Sequence, residues 1–439
     1  MNLGLFRNQN FRLLVIGYST SFFGTVFLNT ALSLYILNVT GSATKYSLVL
    51  SLGIIPQILL GLFAGVVVDR ADRRMLILLL DIGRGLYLIL LFAYSIFYPL
   101  GEWLVYATVF LFGICDLFFT PAFVTILPSI LEKEDLIDGN SLLTTLTEAT
   151  KTLAPVLAAL IYTVSGIGVV MLVDGLTFLV SVVTTYYMVF TKPLKHLGKV
   201  TLYRDVQIGL ASVFTRDVRI TSLVLNGVLT HIFLHSFVLV GVPYLLINIF
   251  KGTAIQFGTV QTMMTAGSIC AIVVVTFIKK RFNTSQNIGL GILGMTITVL
   301  PYFALGNNHF LQLFSISTLA PVTFFSMVTF AIYLAYNTYA VFFIAFYQKI
   351  IPTEMLGRYL SVSSLLYAIG RLLGFKMYGY LLDHVPLVVS IGVLGCGMLL
   401  KMLIHIPFMK QDKKLNASET PAESGRSGGG INAKSSAPN

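Results

Sequence analysis

Charge is what this sequence has least of. Only 11% of its 439 residues are Asp, Glu, Lys or Arg, under half of the roughly 25% that lets a soluble domain face water. Its three cysteines, Cys115, Cys270 and Cys396, all fall within apolar runs, so no disulfide framework is implied. No G-x-x-x-x-G-K-[ST] phosphate loop occurs, and no H-E-x-x-H or comparable catalytic cluster. The chain therefore reads as neither an ATP-burning machine nor an enzyme, and no cofactor or metal is expected. What fills the space is apolar: 56% of residues, with mean hydropathy +0.86. A single soluble core is excluded, because chains of this length divide into domains with polar surfaces. Lipid is the solvent that fits.

Apolar runs recur along the whole chain, each long enough for the roughly 20 residues that a bilayer span requires. They fall at 11–37, 47–68, 75–98, 103–126, 140–164 and 168–190, then at 220–249, 254–278, 285–305, 311–347, 359–382 and 387–408. Most breaks between them carry charge, Pro, Gly or Asn; the break at 165–168 is uncharged. Strands of a membrane barrel would be about 10 residues long and alternate in polarity, which these runs do not. The expectation is an all-α membrane protein with twelve transmembrane helices. The first run is also too long for the apolar region of a cleavable signal peptide.

Most of the 29 Lys and Arg residues gather on one side if the N-terminus is cytoplasmic, while the opposite loops hold only Lys45 and Lys251. This is the positive-inside bias, and it predicts both termini inside. The net charge of +11 is then a mark of topology, and nucleic-acid binding is not needed to explain it. A plasma membrane, of bacterial type, is the expected location.

The longest internal polar stretch, 191–219, divides the chain into a bundle at 1–190 and another at 220–410. Within it, Leu202, Val206, Leu210, Val213 and Phe214 recur at helical spacing, which predicts an amphipathic helix on the cytoplasmic face. Residues 411–439 are rich in Gly, Ser and Ala and read as a disordered tail. The halves also align with each other: Lys151 and Pro155 of the fifth run lie over Arg371 and its followers in the eleventh. Parallel six-span repeats of this kind build transporters.

Between the second and third runs stands Gly61-Leu-Phe-Ala-Gly65-Val-Val-Val-Asp69-Arg70-Ala-Asp72-Arg73-Arg74. Gly61 and Gly65 make a small-xxx-small face for close helix approach. Positive-inside bias accounts for the arginines but not for Asp69 or the glycines. The stretch resembles the signature loop of the major facilitator superfamily, G-x-x-x-D-R-x-x-R-R, with Asp72 where many members have Gly. Asp81-Ile-Gly-Arg84, Thr120-Pro-Ala122, Asp174-Gly-Leu-Thr-Phe178 and Pro352-Thr-Glu-Met-Leu-Gly-Arg358 point to its macrolide-efflux and siderophore-export branch. The resemblance implies the major facilitator fold, two six-helix pseudo-symmetric bundles rocking about a site lined by the first, fourth, seventh and tenth spans. It also implies that Asp69, with Arg70, Arg73, Arg74 and Arg358, latches the cytoplasmic side. In the fifth span, Ala154-Pro155-Val-Leu-Ala158-Ala159 replaces the glycines of the antiporters' G-P-x-x-G-G, and the fourth span lacks their arginine.

Ionisable groups inside spans cost roughly 2.5–3.5 kcal/mol each on insertion scales and default to function. Asp116, mid-way along the fourth span, suits a site that loads and releases a proton. Glu148 and Lys151 share a helix face, and with Asp116 and Arg371 they read either as a charge-satisfying network or as a cationic lining for an anionic substrate. His231 and His235, at i,i+4, are too few for a metal site and are further proton-coupling candidates, with hydrogen-bonded packing the plainer reading. Asn29, Asn337, Phe119 and Tyr336 are candidate cavity residues, the asparagines reading equally as hydrogen bonds between helices and the aromatics as lipid-facing. Asp81, Arg84 and Asp174 lie nearer the span ends and read as support for the latch and gate. The function expected is a monomeric secondary transporter, exporting an amphipathic organic compound such as a drug or macrolide against protons. The alternatives are a dedicated exporter of an anionic metabolite such as a siderophore, a membrane-embedded enzyme, or a non-transporting sensor on the same fold.

Overall fold

The computed structural model describes residues 3–124, 126–132, 135–189, 217–317, 319–351 and 353–419. Among them the secondary structure is helical, with no strand. The first half holds α1 (Gln9–Thr40), α2 (Ala43–Arg70), α3 (Arg73–Phe97), α4 (Glu102–Val124), the short α5 (Leu127–Ile130) and α6 (Leu136–Tyr187). The second holds α7 (Val218–Leu229), α8 (Ala254–Ile278), α9 (Thr284–Val299), α10 (Asn308–Ile316), α11 (Leu319–Ile350), α12 (Thr353–His384) and α13 (Leu387–Glu419).

Ten helices among the described residues are long and apolar enough to cross a membrane. One of them, α6, is interrupted at Gly166, whose φ of 78° and ψ of 175° break the helix. Glycine has no Cβ to forbid that backbone, so the uncharged break expected near residue 165 is made by conformation rather than polarity. The two arms of α6 supply the fifth and sixth expected segments. The eleventh, α12, has the length of a span, but Arg371, Lys376 and several Ser and Tyr residues lower its hydropathy.

The seventh segment also differs from a plain α-helix. Beyond α7 the chain winds as π-helix over Thr230–His235, Phe237–Gly241 and Leu245–Ile249, a form that is rare and frequent at functional sites. At the other end, α13 continues through 411–419, where a disordered tail was expected. Asp412, paired with Arg219 at 3.2 Å, ties this extension to the start of α7. The expected amphipathic helix at 202–214 and residues 420–439 lie outside the described residues.

Packing is densest within each half: α1 and α3 lie on α6, and α2 on α4, while α8 and α9 lie on α11 and α13 on α7. Between the halves, α2 meets α12 and α6 meets α8. Leu34, Leu37, Ala43 and Tyr46 of the first half join the buried cluster of the second. The halves therefore share a core at the end of α1 and the start of α2. Elsewhere the apolar surface faces outward, with Phe97 78% and Ile272 66% exposed, as a lipid-facing belt requires.

One close approach sets the spacing of α8 and α11. A Cβ on Gly267 would run into the Phe330 carbonyl oxygen, a backbone atom that cannot swing aside. Gly267→Ala should therefore lower the melting temperature of the purified protein, an overpacking cost of about 1–3 kcal/mol. Gly392→Ala, where a Cβ meets nothing within 4 Å, should leave it unchanged in the same thermal melt.

Candidate functional site

Asp81 and Arg84 share one face of α3, three residues apart, and both are sealed from solvent. Arg84 Nη2 donates to Asp81 Oδ1, and Nη1 donates to Asp116 Oδ1 of α4 at 2.9 Å. Ser181 of α6 donates to Asp81 Oδ2 at 2.6 Å, and Ser21 of α1 to Oδ1 at 3.3 Å. Thr25 of α1 donates to Asp116 Oδ1 at 3.3 Å. The guanidinium carbon lies 4.3 Å from the centre of the Phe178 ring and 4.8 Å from that of Phe119, both within cation–π range. Asp174, fully buried on α6, keeps one oxygen on Thr177 at 3.0 Å and leaves Oδ2 without a partner. One cation thus sits among carboxylates drawn from three helices, with α1 supplying hydroxyls.

Of this cluster only Asp116 reaches open space. Its side chain is 30% exposed against 1% for Arg84, and it lines a cavity of about 720 Å³ with Gln57, Gly61, Thr120, Leu360 and Ser361. Of the four spans expected to line the cavity only the fourth, α4, does so here; the other walls come from α2 and α12. They belong to the halves of those helices nearest the 71–72 and 351–353 connections.

The opposite ends interlock. Asp383, just past the apolar part of α12, accepts from Ser42 Oγ at 2.6 Å, Ala43 N at 2.8 Å and Thr44 N at 2.9 Å. These are the cap and first residues of α2, so a carboxylate closes a helix N-terminus of the other half. Thr44 Oγ1 donates to the Gly379 carbonyl at 3.1 Å, and Asn248 Nδ2 to that of Gly41 at 2.7 Å. Burial resists ionisation of Asp383, but hydrogen bonds from Ser42, Thr44 and Ala43 outweigh it and hold its carboxyl below the usual range.

In the second half the rings of His231 and His235 lie 5.4 Å apart. His231 Nδ1 is 2.9 Å from the Gly227 carbonyl, which can only accept, so Nδ1 carries the proton. The ring stacks on Tyr367 at 4.9 Å. Among the described residues no group of three His, Cys, Asp or Glu could hold a metal. A lysine that the sequence reading passed over is the most enclosed charge there. Lys401 of α13 is 0% exposed, with its ammonium 4.6 Å from the Tyr339 ring centre and 3.6 Å from Met295 Sδ. Only its place inside an apolar run could have flagged it.

The other expected site residues scatter. Glu148 and Lys151 pair at 2.7 Å as foreseen, but both are half-exposed and the pair does not join Asp116. The cation that does so is Arg84, so Asp81, Arg84 and Asp174 are core partners of Asp116 rather than supports at span ends. Asn337 is bonded to Ser268 and the Tyr333 carbonyl, both at 2.9 Å, tying α11 to α8. Phe119 packs on Arg84, and Asn29 is half-buried on α1. Arg371 is half-buried with its Nε unpartnered, and Tyr336 lines a second, smaller cavity with His231.

The family model of the Major Facilitator Superfamily matches residues 14–375. The chain belongs to the major facilitator superfamily. Transporters of that superfamily bind small molecules within a membrane. Macrolide efflux protein A of Streptococcus pyogenes is 24% identical over 255 residues, 58% of this chain and 62% of that protein. The chain thus matches a little under two thirds of that relative's length. The protein of the same name from Enterococcus faecalis is 24% identical over 231 residues, 52% of this chain and 71% of its own. Among solved structures, the nucleoside transporter NupG superposes with TM-score 0.70 at 11% identity, covering 92% of this chain and 99% of its own. A bacterial homologue of the iron transporter ferroportin, in its inward-facing state, gives 0.67 at 16% identity, covering 91% and 98%.

The superfamily's signature loop is described in part. Asp72, where many members have Gly, caps α3 by accepting from Met75 N at 3.1 Å. Arg74 reaches the Tyr186 carbonyl of α6, and Arg73 is buried. Gly61 faces the Asp116 cavity. Gly65, Asp69 and Arg70 close α2, and Arg358 lies in the first turns of α12. Their side chains lie outside what the structure describes.

The Asp383 clamp carries a sign. Because its carboxyl is held low, the clamp is intact above the free-carboxyl range of about pH 4 and is lost only as pH falls below it. Spin labels at positions 39 and 384 of a cysteine-free protein should report one unchanged short distance between about pH 5 and pH 8. Asp383→Asn should broaden that distribution toward longer distances at every pH.

Proposed function

We propose that this chain is a secondary active exporter, carrying an amphipathic organic compound out of a bacterial cell against an inward flow of protons. In this reading residues 1–190 and 220–410 are the two rocking bundles. The chain works as a monomer in the plasma membrane with both termini in the cytoplasm, as the distribution of its cations favours. The likeness to macrolide efflux proteins makes a macrolide the first compound to try.

The observation that carries the reading is the position of Asp116. It is the one carboxylate of the Arg84 cluster that borders the cavity. A proton arriving there removes the charge that holds Arg84 Nη1 and leaves the guanidinium to Asp81 alone. The bond between α3 and α4 then weakens, and Phe119, packed on the guanidinium, is released with it. Substrate in the cavity and a proton on Asp116 compete for the same wall, which is the minimal requirement for exchange. His231 and His235 remain further candidates for coupling, but His231 is engaged with Gly227 and Tyr367 and is the poorer one.

The test is proton movement in inverted vesicles on addition of erythromycin, ethidium or a siderophore. Wild-type protein should give a substrate-dependent pH change with at least one of them. Asp116→Asn should abolish it while the protein still reaches the membrane and melts at a similar temperature. Proton movement that survives this substitution would remove Asp116 from the coupling role.

A further inference from the structure

The smaller cavity, about 270 Å³, lies between the π-helical continuation of α7, α11 and α12. It adjoins the Asp116 cavity, since Leu360 and Ser364 border both. Its wall includes His231, Tyr336, Tyr339, Tyr359, Ser363 and Tyr367, and no carboxylate. The hydroxyls of Tyr339, Tyr359, Tyr367 and Ser363 are buried and make no hydrogen bond of ordinary geometry within the protein. Ser363 is a weak hydrogen-bonding neighbour of both Tyr359 and Tyr367. Buried hydroxyls are ordinarily paired; here Tyr339 has no partner, and a serine shared between two phenols leaves at least one further proton free to donate to something in the cavity.

Charge decides what that is. Between Asp217 and Asp383 the sequence contains a single acid, Glu354. The same stretch holds His231, His235 and Arg371, and Lys401 stands behind the cavity wall on the far side of Tyr339. Among the described residues neither Lys401 nor Arg371 pairs with a carboxylate, and Arg371 Nε has no acceptor. Aromatic walls can also hold a cation by their faces. Here Lys401 already occupies a face of Tyr339, and the described lining has no carboxylate to neutralise a second cation. Free hydroxyl donors without an acid beside them favour an acceptor.

We propose that this pocket is a subsite for an anionic oxygen group of the substrate, a carboxylate or phenolate. The tyrosine and serine hydroxyls donate to it, and Lys401 and Arg371 supply the opposite charge that the protein itself omits. The inference rests on the export reading in taking the adjoining cavity as the substrate path, and it narrows the cargo to amphipathic organic acids. An acid bound in this way lies in the pocket adjoining the cavity that Asp116 borders.

The test uses full-length protein in nanodiscs and two probes with the same ring and opposite charge, 1-naphthoate and 1-naphthylmethylamine, in titration calorimetry. Naphthoate should bind and the amine should bind more weakly. Removing two donors with Tyr359→Phe and Tyr367→Phe together should weaken naphthoate about tenfold, the scale of lost hydrogen bonds to a charged group, and leave the amine unchanged. Lys401→Met should also weaken naphthoate, and because it removes a buried charge it should not lower the melting temperature. Amine binding equal to or tighter than naphthoate, no naphthoate binding, or an anion preference untouched by both variants would each overturn the subsite. Naphthoate behaving as expected in a protein that moves no protons with any compound would instead leave the subsite standing and remove proton-coupled export.

Discussion

The arrangement of the first half hangs on a guanidinium that has been taken out of water. Arg84 is enclosed by Asp81, Asp116 and two aromatic rings, and in a medium of low dielectric each of those contacts is stronger than it would be at a surface. Breaking a buried pair of this kind costs about 3–5 kcal/mol, because the partner left behind has no water to turn to. The cluster therefore pins α1, α3, α4 and α6 to one another through hydroxyls and carboxylates. A single face of it, the Asp116 oxygen, stays within reach of the cavity. An ion cluster rigid on three sides and accessible on one is a natural place for a proton to alter helix packing.

Much of the architecture was legible in the sequence because the bilayer imposes a length and a polarity on every segment. The run boundaries, the break before residue 168, the cation bias and the Asp116 candidate all followed from composition and spacing. The partners of Asp116 did not. Arg84 lies toward the start of its span by count, and nothing in the sequence says that α3 turns this face toward α4. In a soluble helix the apolar stripe names the buried side. Here both sides are apolar, and a lipid-facing leucine reads like a core one. The same blindness hid Lys401, whose neighbours in sequence are as greasy on its buried side as on the exposed one, and it could not choose between substrate binding and helix contact for Asn337, whose amide bonds Ser268. The π-helical winding beyond α7 leaves no trace in residue type at all.

The two halves share a plan but differ in charge. The first half gathers Asp81, Asp116 and Asp174 around one arginine; the second buries Lys401 and His405 and half-buries His235 and Arg371, while its buried Asp412 pairs with Arg219 instead. The Asp116 cavity, acidic on one wall, adjoins through Leu360 and Ser364 a pocket with bases about it and no acid in its described lining. The separation gives the space between the bundles a direction, from acceptor to donor, which a cargo molecule with two unlike ends would feel as orientation.

α12 is one helix of 32 residues, about 48 Å of rigid rod at 1.5 Å per residue. At one end Asp383 grips the start of α2, at the other lies Arg358 near the connection after α2, and along its length it borders both cavities. Part-way along, the rod lies tight against the π-wound segment, where a Cβ on Gly374 would run into the Ile232 carbonyl oxygen. Such a member behaves as a beam on a fulcrum. Under the proposed export, a tilt that lifts the Asp383 end away from α2 would swing the Arg358 end the opposite way, and the stiffness of one helix would gear the two sides together.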